Sequence, residues 1–146
     1  MAIDSTLEAR RAVLTLMKAD ADLLALVAKV SIYPQTTAPM PAWPFIRCGA
    51  PLVAPVRAAC VDGTSLTMAI HGFAGPRKSG TTVVETAEDH ASRIGTAIAK
   101  ALDGKRVTIS RGTLAVSWQG SQLLADPDEA DAFHTVQNFR IRCITA

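Results

Sequence analysis

The chain reads as an α+β protein: a mostly antiparallel sheet, with one long helix and a short N-terminal helix pair packed on it. Three observations predict this. Residues 82–102 carry apolar side chains at a 3.6-residue period. Residues 65–73 and 133–144 alternate apolar and polar side chains. The first 27 residues hold two further helical stretches separated by Asp20.

The elements follow in order. Ser5-Thr6-Leu7-Glu8 has the spacing of a capping box, in which the Ser5 hydroxyl and Glu8 carboxylate satisfy the first free amides. Leu7, Val13, Leu14 and Met17 continue the first helix. Asp20 and Asp22 open a second one through Leu23, Leu24, Leu26 and Val27. Ser31 to Pro34 is a short extended piece. Pro39 and Pro41 make residues 35–42 a loop, because proline lacks the amide that a helix or central strand needs. Phe45 to Cys48 is a strand, entered from Trp43-Pro44, and residues 49–63 are a loop or ragged edge strand. Ser65 to Phe73 is a better strand, with Leu66, Met68 and Ile70 on one face. Gly75-Pro76-Arg77-Lys78-Ser79-Gly80 is an exposed loop by composition.

Thr82 begins the long helix. Val84, Ala87, Ala91, Ile94, Ile98 and Leu102 share a face. Glu85, Glu88 and Asp89 sit early and Lys100 late, as the helix dipole favours, and Gly104 stops it. Val107 to Ile109 is a strand, Ser110-Arg111-Gly112 a turn, and Leu114, Val116 and Trp118 mark a further strand that continues through Leu123-Leu124. Asp126 to Glu129 is a turn. The last strand sets Phe139, Ile141 and Cys143 against Asn138, Arg140 and Arg142. Residues 1–146 show no internal repeat and no linker, so one domain is expected.

Composition narrows the function. Apolar residues make up 49% of the chain, but only 5% are aromatic and 25 are alanine, so a lone copy has few large side chains for a core. Surface buried against partners is the expected remedy. A net charge of +2 is too small for a protein that grips nucleic acid by its phosphates. No apolar run reaches the roughly 18–20 residues of a spanning helix, so no membrane role is expected. The N-terminus, with Asp4 and Glu8, does not read as a secretory signal. Cys48, Cys60 and Cys143 lack metal-like spacing and read as buried thiols of a protein made in a cytoplasm.

Catalytic chemistry finds little support. There is no Gly-x-Ser-x-Gly elbow. His71 and His134 fall in predicted strands and His90 in the long helix, and residue order leaves open whether they meet. Packed or surface histidines are expected, with no catalytic or metal role. Gly75 and Gly80 have the separation of a phosphate-binding loop, but Thr81-Thr82 stands where its lysine belongs. Glu85, Glu88 and Asp89 are better explained by the helix dipole than as metal ligands. Asp126, Asp128, Glu129 and Asp131 lack calcium-loop spacing. They read as a solvated turn or, functionally, as an acidic patch that keeps passing DNA from sticking. No cofactor is expected.

The order of these motifs resembles the tail-terminator or tail-completion family of long-tailed phages and gene transfer agents. The resemblance covers nearly the whole chain. It is carried by Asp20 to Val27, by Ile32-Tyr33-Pro34, by Pro44-Phe45-Ile46 and by the strand ending in His71 and Phe73. The long helix, Asp126-Pro127-Asp128 and Phe139-Arg140-Ile141-Arg142 complete it. It implies a structural virion protein of the tail or neck, not an enzyme. Copies would form a ring, typically a hexamer, at the head-proximal end of the tail. The ring would end tube polymerisation and join the tail-tube protein to the head connector or stopper protein, with DNA passing through its lumen. A head-completion or stopper protein is the alternative, and a small nucleotide-binding enzyme using the glycine loop a remote one. Loops at 34–44, 49–63 and 74–81 are the expected docking parts, since loops on a rigid sheet carry binding. Arg77 and Lys78 would dock a partner, and Asp126, Asp128, Glu129 and Asp131 would face the lumen.

Overall fold

A computed structural model describes residues 3–144. It is a mixed α/β fold, opening with α1 (Thr6–Ala19), α2 (Ala21–Leu24) and a 3-10 turn (Lys29–Ser31). Six strands follow: β1 (Ile32–Tyr33), β2 (Phe45–Cys48), β3 (Leu52–Ala58), β4 (Val61–Ala74), β5 (Arg77–Ser79) and β6 (Thr82–Glu85). Then come α3 (Ala87–Leu102), β7 (Arg106–Ile109), β8 (Gly112–Ala125) and β9 (Phe133–Ile144). The main sheet runs β1-β2-β4-β9-β8-β7, with β3 beside the first half of β4. β1 pairs parallel to β2, and the remaining pairs are antiparallel. β5 and β6 form a separate hairpin.

The core lies between the sheet and the helices. From β9, Phe139, Ile141 and Cys143 face it, and from β4, Leu66, Met68 and Ile70. α3 answers with Ala91, Ile94, Ile98, Ala101 and Leu102, and α1 with Ala9, Val13 and Met17. Burying each large aliphatic contributes about 1.5–3 kcal/mol. α3 crosses β4, β9 and β8, while α1 and α2 pack on α3. Small residues at the seat set how closely it approaches. A Cβ at Gly72 would lie 2.9 Å from the Ile94 side chain, and one at Gly95 would lie 2.5 Å from Thr135 Oγ1.

Several local expectations change. Ser5 makes no capping bond; its hydroxyl pairs with Thr64 Oγ1 at 2.5 Å, and Asp4 Oδ1 takes the Thr6 amide at 2.9 Å. The reason is tertiary: Ser5 is buried against β4, so its hydroxyl is claimed by the sheet. Leu7 is exposed, and Ala9 stands on the buried face instead. Asp20 does cap α2, accepting the Leu23 amide at 2.9 Å. Of the two readings left open for residues 49–63, the edge strand is the one found: Leu52–Ala58 pairs antiparallel with the first half of β4. Of the three thiols, Cys60 is exposed at its turn.

The largest correction concerns residues 75–86. Arg77–Ser79 pairs with Thr82–Glu85 across a turn where Gly80 has φ 62°. The helix starts only at Ala87, where the Thr86 hydroxyl accepts the Asp89 amide at 3.3 Å. Thr82, Val83 and Val84 are β-branched and exposed, and helix-like spacing alone did not reveal that their face has nothing to pack on. Glu88 and Asp89 do occupy the first turn. Gly104 follows the helix with φ 73°, a left-handed stop suited to glycine.

The Gly95→Ala variant is expected to lose about 1–3 kcal/mol of stability, because overpacking against Thr135 and Gln137 outweighs alanine's helix preference of about 1 kcal/mol. Gly75→Ala, with open space around it, should leave the urea midpoint nearly unchanged. Urea titrations of both variants check this.

Candidate assembly surfaces

The helix-free face of the sheet collects aromatic rings. Side chains alternate along a strand, so Phe73 and His71 of β4 point away from α3, as do Phe45 of β2 and His134 of β9. Phe45 stacks on Phe73 at 4.6 Å, and Phe73 on His134 at 4.9 Å. Trp43 meets Phe45 edge-on at 5.1 Å, and the Arg47 guanidinium lies 5.6 Å from the Phe73 ring centre. The proline loop and the acidic turn flank this cluster. They enclose a groove of about 540 Å³ that has Pro39, Pro41 and Trp43 on one side and Asp126, Asp128 and Glu129 on the other. The Asp128 amide bonds Asp126 Oδ1 at 2.9 Å, and Asp131 takes φ 60°.

Two of the three histidines therefore do meet. The His71 and His134 rings are 5.5 Å apart, and Nδ1 of each is buried without a hydrogen-bond partner. Burial pushes the pKa of His71 below its usual 6.5, with the Arg47 guanidinium and His134 acting the same way. His134 is also lowered, by burial first; Asp126 opposes the shift and Arg47 adds to it. His90 is separate: its Nδ1 donates to the Gly75 carbonyl at 2.9 Å. Among the described residues no group of three or more histidine, cysteine or acidic side chains could hold a metal ion.

The second surface is the β5–β6 hairpin, which carries Arg77 and Lys78. Glu85 anchors it: Arg93 of α3 donates to that carboxylate twice, at 2.7 and 2.8 Å, and Arg77 approaches it at 3.4 Å. The Arg93 hydrogen bonds hold the Glu85 carboxyl below the usual carboxylate range. Glu85 thus belongs to a strand and clamps the hairpin to α3, rather than sitting in the first helical turn. Gly80 is followed by β6, seven residues ahead of the helix, so the glycine loop does not present phosphate to a helix N-terminus. The base of the hairpin lies near the acidic turn: Gly75, Trp43, Glu129, Ala130 and Ala132 line a hollow of about 290 Å³.

The third surface was missed from sequence. β8 keeps the same pairing as far as Trp118, slips by one residue before Gly120, and continues beside β9 to Ala125. Beyond the slip it outruns the helix layer. Trp118 is 44% exposed, Leu123 42% and Leu124 39%, so both faces of this strand end meet solvent. Between it and α3 runs a groove of about 480 Å³, bordered by Ser92, Thr96 and Asp103. Its floor is polar: the Trp118 indole donates to Gln137 Oε1 at 2.9 Å, and Gln137 donates to Thr135 Oγ1 at 2.7 Å. The adjacent Leu123-Leu124 pair, which breaks the period-two pattern, was the available signal.

What these surfaces offer is contact: rings, strand edges and clamped hairpins. No helix among the described residues is long and apolar enough to cross a membrane. No curated protein matches the chain. Among solved structures, it is similar to a chain of the virion of a native gene transfer agent particle. That likeness has 23% identity and a TM-score of 0.72, and it covers 92% of this chain and 93% of the other. The class is that of phage tail structural proteins. Within it, the chain belongs to the tail completion protein gp17 family, whose model matches residues 11–144.

The histidine pair gives a pH dependence with a definite sign. A basic group whose folded pKa is depressed binds fewer protons folded than unfolded, so stability rises with pH between the two values. The contribution is full above pH 6.5 and is lost as pH falls through the lowered folded values. Urea midpoints at pH 7.5 and pH 5 should therefore differ less in the His71→Gln/His134→Gln double variant than in the unaltered chain. An equal drop in both would remove the pair as the cause.

Proposed function

We propose that copies of this chain close into a ring, a hexamer, at the head-proximal end of a phage-like tail. The ring caps the last tube ring, ends tube polymerisation and offers the surface that docks to the head connector. DNA passes through its lumen. The observation that carries this reading is the match of the tail completion family along residues 11–144. A fold shared over 92% of this chain with a virion chain agrees with it. The role is structural rather than enzymatic, and the place of action is the virion.

The physical features suit such a role. Ring closure uses heterologous contacts, in which one patch of each copy meets a different patch of the next. The aromatic groove, the clamped hairpin and the β8 edge are separate patches of that kind. In this reading Arg77 and Lys78 dock a neighbouring tail or neck protein. Asp126, Asp128, Glu129 and Asp131 face the lumen, where like charge repels the phosphates of passing DNA. The rigid hairpin suits docking better than a loose loop would, because less conformational freedom is lost on contact.

Light scattering on the purified protein should give a mass several times 15.4 kDa, and electron microscopy should show closed rings. A strict monomer at assembly concentrations that never binds tail tubes overturns the reading. Lys78→Glu is the cleaner docking variant, because Arg77 is already engaged with Glu85. It should leave stability within about 0.5 kcal/mol, as exposed substitutions do, while lowering the yield of joined tails in an assembly assay. Unchanged joining removes the hairpin from the docking surface.

A further inference from the structure

We propose that the helix-free face of the sheet, at the end away from the aromatic cluster, contacts the phosphate backbone of double-stranded DNA through Arg106, Arg140 and Arg142. For its place in the assembly this rests on the ring reading, and it names the surface that meets the DNA in the lumen.

The strand register assembles this face. Phe139, Ile141 and Cys143 of β9 point into the core, so Arg140 and Arg142 point away from the helices. Arg142 lies opposite Ala115 of β8, and Ala115 lies opposite Arg106 of β7. Residues directly opposite each other in a sheet share a face, so the three arginines stand together on one. All three are exposed. Arg140 and Arg142 are about 7 Å apart along β9, and Arg106 is two strands, about 10 Å, from Arg142.

Nothing in the fold neutralises them. Among the described residues none of the three has an ion-pair partner; the arginines that do are Arg77, Arg93 and Arg111. The one acid in the strands of the main sheet is Asp62, and alternation puts it with Leu66 on the helix side. The acidic turn lies at the other end of β9: from Phe133, where that strand begins, Arg140 is roughly 24 Å away. The net charge of +2 averages over this separation and hides it.

The neighbouring side chains select the partner. Across the strands, Arg142 is flanked by Ser65 and Ala115, and Arg140 by Thr67 and Ser117. All four are small, so the guanidinium groups stand above a flat surface. The hydroxyls of Ser65 and Thr67 add donors of the kind that meet phosphate oxygens. An acidic protein partner would call for aromatic anchors, and these two rows hold none. The exposed apolar side chains nearby, Leu52 and Ile144, lie at the margins of the face. Duplex DNA carries a charge about every 1.7 Å of its axis, so arginines spread in this way have phosphates within reach. Such contacts carry no sequence information and exchange readily, which lets a duplex slide. Three per subunit guide DNA through the ring rather than grip it.

The test is binding of the full chain to a labelled linear DNA duplex, read by fluorescence anisotropy at several salt concentrations. Affinity should fall at least about 40-fold between about 50 and 200 mM salt, as roughly three phosphate contacts require, and should not depend on base sequence. Arg106→Ser/Arg140→Ser/Arg142→Ser should lose at least about tenfold in affinity at low salt, together with most of the salt dependence. Arg11→Ser/Lys29→Ser/Lys100→Ser removes the same charge from the helix side and should bind as the unaltered chain does. All six positions are exposed, and circular dichroism with urea titration establishes that both variants fold. Equal loss in the two variants overturns the proposal, because net charge alone then explains binding. An arginine-face variant that binds duplex normally but no longer joins tails assigns the face to a protein partner, and overturns it too. Light scattering reads the ring separately. Rings of the unaltered chain that bind no duplex overturn the DNA face and leave the ring standing. A strict monomer whose duplex binding still needs the three arginines overturns the ring and keeps the face.

Discussion

Twelve consecutive residue pairs join β4 to β9, from Gly63 with Ile144 to Ala74 with Phe133, and the rest of the molecule depends on that register. It places Met68 opposite Phe139 and Leu66 opposite Ile141 on the helix side, so the two strands present one apolar surface. α3 is long enough to lie across it, and Gly72 and Gly95 let it approach closely. A slip of one residue would turn Phe139 and Ile141 to the other face and leave α3 without a seat. The same register puts Phe73 and His134 opposite each other on the far side. Core and aromatic cluster are thus two faces of one pairing.

The scarcity of aromatics gains a structural meaning from this. Phe139 is the aromatic among the fully buried side chains, where isoleucine, leucine and methionine otherwise dominate. Tyr33, Trp43, Phe45 and Phe73 gather instead on the helix-free face, under the proline loop. Alanines on α1 and α3 occupy the helix layer, where their small size permits close contact. Large rings are therefore kept for a groove that opens to solvent beside an acidic turn. In a protein of the tail completion family, that is a use of aromatic area suited to contact with other chains.

Much of the architecture was legible in residue patterns. The limits of Phe133–Ile144 follow from alternation, the strand Phe45–Cys48 is readable from its entry after Trp43-Pro44, and the α2 cap from Asp20. The failures share a cause. Ser5 has a capping spacing, yet its hydroxyl is taken by Thr64, 59 residues away. Val84 and Ala87 have helical spacing, yet Val84 lies in a strand, because Glu85 reaches Arg93 and pins residues 82–85 as a hairpin. In each case a partner outside the segment overrides a local rule. The meeting of His71 with His134 is of the same sort: each strand was readable, but not their register.

By itself, the sequence determined the kind of most elements, many of their limits and the apolar side of the long central strands. These depend on backbone preference and on burial period, and both are local properties of the chain. The tertiary structure alone decided which strands are neighbours, where β8 outruns its covering layer, and what Glu85, Ser5 and the two histidines touch. Those outcomes depend on groups far apart in the chain being brought within a few ångströms. No spacing along one segment carries that information.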